Sequence, residues 1–410
     1  MRIFCAIRHS RNPERCYGGL WSANFYPALR DMGHEIIESQ TDLLPASRFM
    51  DIPGSFTREE KEVRARTTEQ ILAEVRAAHL RGSINLFLSY FYNAHFDPAG
   101  FDELRRLGIP SVNFYCNSIY QFNLVDAVAT KADFAWHPEK DARQSYLGIG
   151  ANPVWVQMAA DPGVYRPIPA IRRLPKACFV GQRYGDRDRW LAFLIRAGVP
   201  VEIYGTGWKC SAGADPSPNS GMKESKSVYL GRQKPVPGSW QSYLAVARHN
   251  VDLAGFSRGV LRSAHQLKYR RETRALTPLI ASSARGPAKD VSTVFAAHDV
   301  CLNFSNVWSD GRPCSRLVPH IRLRDFEAPM SRTCYLTGHS DEITEFYDVG
   351  REIDTYRSPE ELVDKARFYL QNSDAAETLR EAGYRRALRD HTWKRRFEEL
   401  FQKIGFSRGR

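Results

Sequence analysis

Each absence from this sequence narrows what the chain can do. No run of about eighteen apolar residues occurs among the 410, so no membrane-spanning helix is expected. The opening MRIFCAIRHSRN has too short an apolar stretch for a signal peptide and reads as a first buried strand. None of the eight cysteines forms a CxxC pair, and His and Cys show no ligand spacing, so no metal site is expected. Cys5, Cys178, Cys301 and Cys334 lie inside apolar runs, where cysteine behaves as a small hydrophobe, which fits a reduced, cytoplasmic protein. The dinucleotide pattern GxGxxG is missing too, and with it the motif support for NAD binding.

Positive charge is present in excess. The formal net charge of +12 favours anionic partners: nucleotide phosphates, acidic glycans, lipid headgroups or nucleic acid. No nucleic-acid module is recognisable, so nucleic acid is not the expected partner. Lys394, Arg395 and Arg396 cluster near the C-terminus, with Arg385, Arg386 and Arg389 upstream. That cluster reads either as a solvated helix face or as a peripheral contact with an anionic membrane, on its inner face.

Apolar content of 43% and aromatic content of 12% suffice for two cores, and the length favours two domains. Residues 1–160 alternate strand and helix: RIFCAI, HEIIES, INLFLSYF, PSVNFYCN, DFAWHP and NPVWVQMA are strands between helical segments. The longest helix is expected over residues 57–81, with Thr57 as cap and Glu60 three residues on. Residues 161–176 are rich in proline and basic residues and read as a linker. The rhythm then restarts over 177–385, with ACFVG, VPVEIYG, PLIASSA, DVCLNFS and TCYLT as strands and a further strand through Ile353. Residues 209–227 form a polar loop, and 386–410 a helical tail able to pack back on the first domain. The fold class is α/β, two Rossmann-like domains with parallel sheets.

Several short segments are candidates for chemistry. Arg324 and Glu327 are three apart on a predicted helix and share a face, while Leu323, Phe326 and Met330 make the other stripe apolar. A carboxylate beside a guanidinium suits a ribose hydroxyl pair and a phosphate; a surface ion pair explains them equally well. Gly19, with Gly18, follows the first strand, where glycine lets backbone N–H groups approach an anion, or where the chain merely turns tightly. The matching loop FVGQRYGDRDRW frees the backbone at Gly181 and offers Arg183 and Arg187 to a diphosphate; a solvated loop is its bland reading. In VEIYGTGW, Tyr204 and Gly205 lie at a strand end, where ligands bind in open sheets, and Tyr204 or Trp208 would flank a base or pack in the core. His95 and Asp97 follow the INLFLSYF strand, and His9 the first strand; all three are candidate acids or bases for an acceptor.

The ordered pieces FVGQRYGDRDRW, IYGTGW, LNFSN, LRDFEAP and EITEFYDVGREIDTYRSPEEL, ending in REAGYRRALRDHTWKRRFEEL, resemble the CgeB-like branch of the GT-B glycosyltransferases, related to the retaining family 4 group. The resemblance covers about the last 250 residues well; the first half matches more loosely, through ALRDMGHEI and WVQMAADPGVYRP. It implies a GT-B fold, two Rossmann-like domains facing across a cleft. The C-terminal domain would bind a nucleotide-diphosphate sugar, with a UDP-sugar the expected donor, and the N-terminal domain a glycan or other hydroxyl acceptor. Glu327 matches the glutamate that holds the ribose, and the loop SDGRPCSR would lie near the diphosphate. The second glutamate usual eight residues earlier is replaced by Pro319. No cofactor is implied; the transfer would be metal-independent and either retaining, the expected outcome, or inverting, with His9, His95 or Asp97 as the base on the opposite face. The competing readings are a non-catalytic nucleotide-sugar or glycan-binding envelope or spore-surface protein, a DNA-modifying glucosyltransferase, and a sugar epimerase.

Overall fold

The computed structural model describes residues 1–10, 19–51, 55–169, 171–208 and 240–406. Gly18 and the polar loop at 209–227 lie outside the described residues. The chain divides into two compact units, one of residues 1–164 and 391–406, the other of 165–208 and 240–390.

The first unit is built on a parallel six-stranded sheet. Its strands are β1 (Arg2–Ala6), β2 (Glu35–Glu38), β3 (Leu86–Ser89), β4 (Ser111–Phe114), β5 (Phe134–His137) and β6 (Pro153–Trp155), in the order β2-β1-β3-β4-β5-β6. Buried strands read as unbroken apolar runs: Leu86–Ser89 is buried at every position, as a sheet covered on both faces requires. The 24-residue helix Arg58–Arg81 starts with the predicted cap: Glu60 N–H donates to Thr57 Oγ1 and Thr57 N–H donates to Glu60 Oε2.

The tail returns to this unit. Helix Trp393–Lys403 packs against helix Leu20–Asp31, with Phe25 4.7 Å from Trp393 and 5.2 Å from Phe397, ring centre to ring centre. Trp393 Nε1 donates to Asn24 Oδ1 at 3.0 Å. The basic residues of the tail are largely spent locally. Arg396 is buried and donates to the Met158 carbonyl, Arg395 pairs with Glu398, Arg385 with Glu381, and Arg386 and Arg389 with Asp390.

The second unit repeats the architecture. Its strands are β7 (Leu174–Val180), β8 (Val201–Tyr204), β9 (Ala284–Gly286), β10 (His298–Asn303), the short antiparallel pair β11 (Val307–Trp308) and β12 (Leu317–Val318), then β13 (Cys334–Gly338) and β14 (Asp354–Tyr356). The main sheet is parallel, in the order β14-β13-β10-β7-β8-β9. Three boundaries differ from the sequence reading. The segment PLIASSA is not a strand: helix Phe256–Ala281 runs through exposed Pro278 because Leu276, Leu279 and Ile280 still fall on its core face. β7 begins inside the expected linker, where Leu174 pairs with His298. β14 begins just after Ile353, because Ile353 closes a tight turn by accepting from Gly350 N–H.

The tail helix supplies core that the first sheet cannot provide alone. Trp393→Ala is expected to destabilise the first unit by about 3–5 kcal/mol, through the cavity and the orphaned Asn24 amide. Urea unfolding followed separately by probes in each unit should show the loss in the first unit only.

Candidate functional site

Both sheets reverse their winding once. In the first unit the chain runs outward from β1 to β2 and then from β3 to β6 on the other side, so the reversal lies between β1 and β3. In the second it lies between β7 and β10. Loops leaving the carboxyl ends of the strands on either side of such a reversal must part, and the crevice they leave is where open α/β sheets bind ligands.

At the second unit's reversal stands Arg187, first residue of helix Arg187–Arg196 and only 5% exposed. Its Nη1 donates to the Gln182 carbonyl at 2.8 Å, and its Nη2 to Tyr184 Oη at 3.0 Å and the Phe304 carbonyl at 3.2 Å. One guanidinium thus joins the loop after β7 to the loop after β10. It lies 3.8 Å from the centre of the Tyr184 ring and makes no ion pair among the described residues. Burial, then the neighbouring Arg322 and Arg324, hold its pKa below the usual guanidinium range. Burial pushes the Tyr184 phenol up, but Arg187 and Arg322 outweigh it and bring it below its ordinary value. The nearby Asp186 carboxylate is turned to Trp190 Nε1 at 2.9 Å and Asn306 Nδ2 at 3.5 Å; its Oδ1 is buried without a partner among the described residues.

Glycine makes this loop junction possible. Gly205 has φ +136°, and a Cβ there would lie 2.0 Å from the Gly181 carbonyl oxygen. At Gly181 a Cβ would meet the Phe179 ring at 2.7 Å and Arg187 Nη1 at 3.1 Å. Trp208 Nε1 donates to the Gly181 carbonyl at 2.7 Å, closing the strand-end loops on one another.

The helix Arg324–Met330 is framed by Asp325, which is buried. Asp325 Oδ1 accepts from Tyr335, Thr337 and Asn303, and Oδ2 from Arg322 N–H at 2.7 Å. This network fixes the turn that presents Arg322, Arg324 and Glu327. Arg324 Nη1 donates to Glu327 Oε2 at 2.6 Å, so the ion pair weighed from the sequence does form. Arg324 also lies 5.2 Å over the Phe295 ring. Glu327 is 3% exposed, and among the described residues its Oε1 has no hydrogen-bond partner.

Other expected donor-side residues are engaged elsewhere. Arg183 pairs with Asp188 at 2.6 Å and donates to the Thr273 carbonyl and Thr277 Oγ1, fastening the long helix Phe256–Ala281 to the loop. Tyr204 is half-buried, and its hydroxyl donates to Glu202 Oε2 at 2.8 Å. Burial alone would raise the Glu202 carboxyl, but bonds from Lys176, Tyr204, His298 and Arg285 hold it down to about 2. Trp208 is fully buried, the core reading. Gly19 precedes helix Leu20–Asp31 with φ −112°, which any residue adopts, so its backbone makes no demand for glycine.

The first unit's reversal gathers histidine and tyrosine. His9 stacks on Tyr90 with ring centres 4.6 Å apart, and lies 4.4 Å from His95. Its Nε2–H donates to the Tyr90 carbonyl at 2.6 Å. Desolvation by burial holds its pKa down to about 4, so the imidazole is neutral near pH 7. His95 is fully buried with both nitrogens committed: Nδ1 accepts from Tyr92 N–H and Nε2–H donates to Ser47 Oγ. Asp97 is held by Arg64 at 3.1 Å and accepts from Ala99 N–H. Of the two histidines, His9 alone keeps a ring nitrogen outside hydrogen bonds among the described residues.

Sequence reasoning passed over Arg322, Tyr184, Asp186 and Asp325. Arg322 had a signal, since it stands two residues before Arg324 in the same basic turn; Asp325 had none, because its role depends on β10 and β13. His137, at the end of β5, was also missed. It is fully buried, its Nδ1–H donates to the Glu139 carbonyl and its Nε2 has no partner among the described residues.

Comparison with known proteins agrees with this architecture. Residues 247–402 match a family model described as glycosyl transferase-like, a stretch that takes in Arg322, Arg324 and Glu327. No curated protein matches the chain. Among solved structures, AviGT4, a glycosyltransferase involved in avilamycin A biosynthesis, is 15% identical with a TM-score of 0.56, covering 99% of this chain and 97% of that one. Anabaena Alr3699/HepE in complex with UDP and glucose is 10% identical with a TM-score of 0.53, covering 98% and 99%. Sucrose-phosphate synthase of Thermosynechococcus elongatus is 12% identical with a TM-score of 0.51, covering 99% of each chain. The fold is GT-B: two parallel-sheet α/β domains.

Two predictions follow from the geometry of these loops. Gly205→Ala should cost about 2–4 kcal/mol in the second unit's unfolding free energy, because a left-handed φ and a backbone clash act together. Acid should weaken the first unit. His9 and His137 are each held down to about 4, and His95 well below its ordinary value, all mainly by burial. Between pH 6.5 and 4 the unfolded chain binds more protons, so stability is full above 6.5 and falls as pH drops toward 4, by about 3 kcal/mol for buried His137. Urea midpoints measured across that window check the direction.

Proposed function

We propose that the chain is a glycosyltransferase that moves a sugar from a nucleotide-diphosphate donor, a UDP-sugar, to the hydroxyl of a glycan, lipid-linked or small-molecule acceptor. The observation that carries this is Arg187: a buried guanidinium at a topological reversal, with no ion pair among the described residues and with Arg322 and Arg324 close enough to lower its pKa. Three guanidiniums stand here against the carboxylates of Asp186 and Glu327, and such a positive excess is the environment a diphosphate leaving group needs as the glycosidic bond breaks. The likeness to HepE, whose structure holds UDP and glucose, is consistent with that donor.

Roles for the residues follow. Arg187 and Arg322 face the diphosphate, with Tyr184 between them as a hydrogen-bond donor. Glu327, fixed through Oε2 by Arg324, offers Oε1 to the ribose hydroxyls. Guanidiniums supply the charge neutralisation, so the transfer is assigned as metal-independent. The first unit takes the acceptor near His9, whose neutral ring and aromatic neighbours Tyr90 and Tyr92 suit a sugar face. Retention is the assigned outcome: the acceptor hydroxyl attacks from the face the phosphate leaves, and the departing phosphate oxygen takes its proton. The inverting alternative would use His9 Nδ1 as base. Pro319 stands where the related group carries its second glutamate, so the sugar itself has one fewer acidic contact.

Thermal-shift titration with UDP, GDP, TDP and CDP tests the donor site. UDP is expected to raise Tm, and Arg322→Ala and Glu327→Ala to weaken its binding by about tenfold or more. No stabilisation by any of the four would sink the assignment. The anomeric configuration of the first-formed product, read by NMR, distinguishes retention from inversion.

A further inference from the structure

Helices Trp240–Ala254 and Phe256–Ala281 form an antiparallel hairpin on the second unit. The two lie very close: a Cβ on Gly259 would meet the Val251 backbone at 2.5 Å. Asn250 Nδ2 donates to Ser263 Oγ and Gln266 Oε1 between them. Arg183 fastens the second helix to the body of the unit, so the hairpin is a braced platform.

Its outer surface is unusual in composition. Trp240, Leu244, Phe256, Val260, Leu261 and Leu267 are all at least half exposed, and Phe256 is 78% exposed. Elsewhere in the described residues exposed large apolar side chains are scattered singly, as on most soluble surfaces. Here they are periodic. Phe256, Val260, Leu267, Arg271 and Arg274 fall at spacings of four, seven, four and three residues, so they share one face of the helix. The opposite face carries the buried Gly259, Gln266, Tyr269 and Ile280. The outward face is therefore apolar over its first turns and basic over its last, with Lys268 beside it and Arg248 on the partner helix, all exposed. Arg248, Lys268, Arg271 and Arg274 make no ion pair among the described residues. The one acid on the last turns, Glu272, is turned aside to Arg189 at 2.7 Å.

We propose that this face docks the protein on an anionic lipid bilayer. Apolar side chains enter among the acyl chains while the guanidinium and ammonium groups stay at the phosphates, the division of labour of interfacial amphipathic helices. Charge complementarity selects the bilayer over a second copy of the chain: a second copy of this face would bring against Arg248, Lys268, Arg271 and Arg274 the same four cations and, as exposed unpaired acid among the described residues, only Asp252. The tail cluster Lys394–Arg396 is a weaker candidate, because Arg395 is ion-paired and Arg396 buried. The proposal stands apart from the catalytic reading and needs no donor site.

Sedimentation of the full chain with vesicles tests it. Binding is expected to vesicles of phosphatidylcholine mixed with phosphatidylglycerol and not to phosphatidylcholine alone, and to weaken as salt rises. Phe256→Ser with Leu267→Ser, and separately Lys268→Glu with Arg271→Glu, should each lower the partition by about tenfold or more. All four residues are exposed, so circular dichroism and Tm should remain those of the parent. No sedimentation with the anionic vesicles would overturn the proposal. So would equal binding by the parent and both variants, or a dimer in light scattering that Phe256→Ser abolishes.

Discussion

A single buried guanidinium organises the second unit. Taking a charge out of water costs several kcal/mol unless something answers it. Arg187 is answered by two carbonyls, a phenol and the faces of two aromatic rings, not by a carboxylate. Those acceptors come from the loops that follow β7 and β10, so satisfying the guanidinium also fixes the two loops at the sheet's reversal. The glycine contact between Gly205 and Gly181 draws the loop after β8 against the same point. The result is a rigid rim whose guanidinium is satisfied by carbonyls, a phenol and rings, with the Asp186 carboxylate near it but not ion-paired to it. Such a rim is stable without an anion and still attracts one.

The first unit solves the same topological problem with opposite chemistry. Among the described residues its reversal gathers a stacked His9 and Tyr90, then Tyr92 and Tyr115, beside the Arg8–Glu38 ion pair. Burial keeps the imidazoles uncharged and the phenols protonated. One sheet therefore presents fixed charge and the other presents aromatic faces and hydroxyls. That contrast is what a donor carrying a diphosphate and an acceptor carrying only hydroxyls would require of their respective sites.

Much of the fold was legible because it rests on local rules. The cap at Thr57 and Glu60 needs only residues three apart, and the apolar runs of β1, β3 and β10 need only burial. The misreadings came where distant contacts overrode a local signal. PLIASSA looked like a strand, but Arg183, more than ninety residues before Thr277, anchors the helical turn ahead of Pro278. At Tyr204 the sequence showed a ring at a strand end, and only the fold reveals the four-way network on Glu202 that takes its hydroxyl. The Arg324 and Glu327 face was visible from spacing, whereas the Asp325 hub that orients it is invisible without β10 and β13 in place. His95 illustrates the same limit: a histidine after a buried strand looks reactive until both nitrogens are found to be spoken for.

The returning tail has a consequence for how the chain is made. Trp393, Phe397 and Leu400 are fully buried in the first unit, yet they are translated after every residue of the second. Emerging from the ribosome, residues 1–164 hold a complete sheet but an open aromatic face around Trp21, Phe25 and Trp136. The second unit has all its strands in hand first, so it can close while the first is still waiting. The order in which the two cores can be completed is thereby the reverse of their order in the sequence, and the rings of the waiting unit stay exposed until the tail arrives.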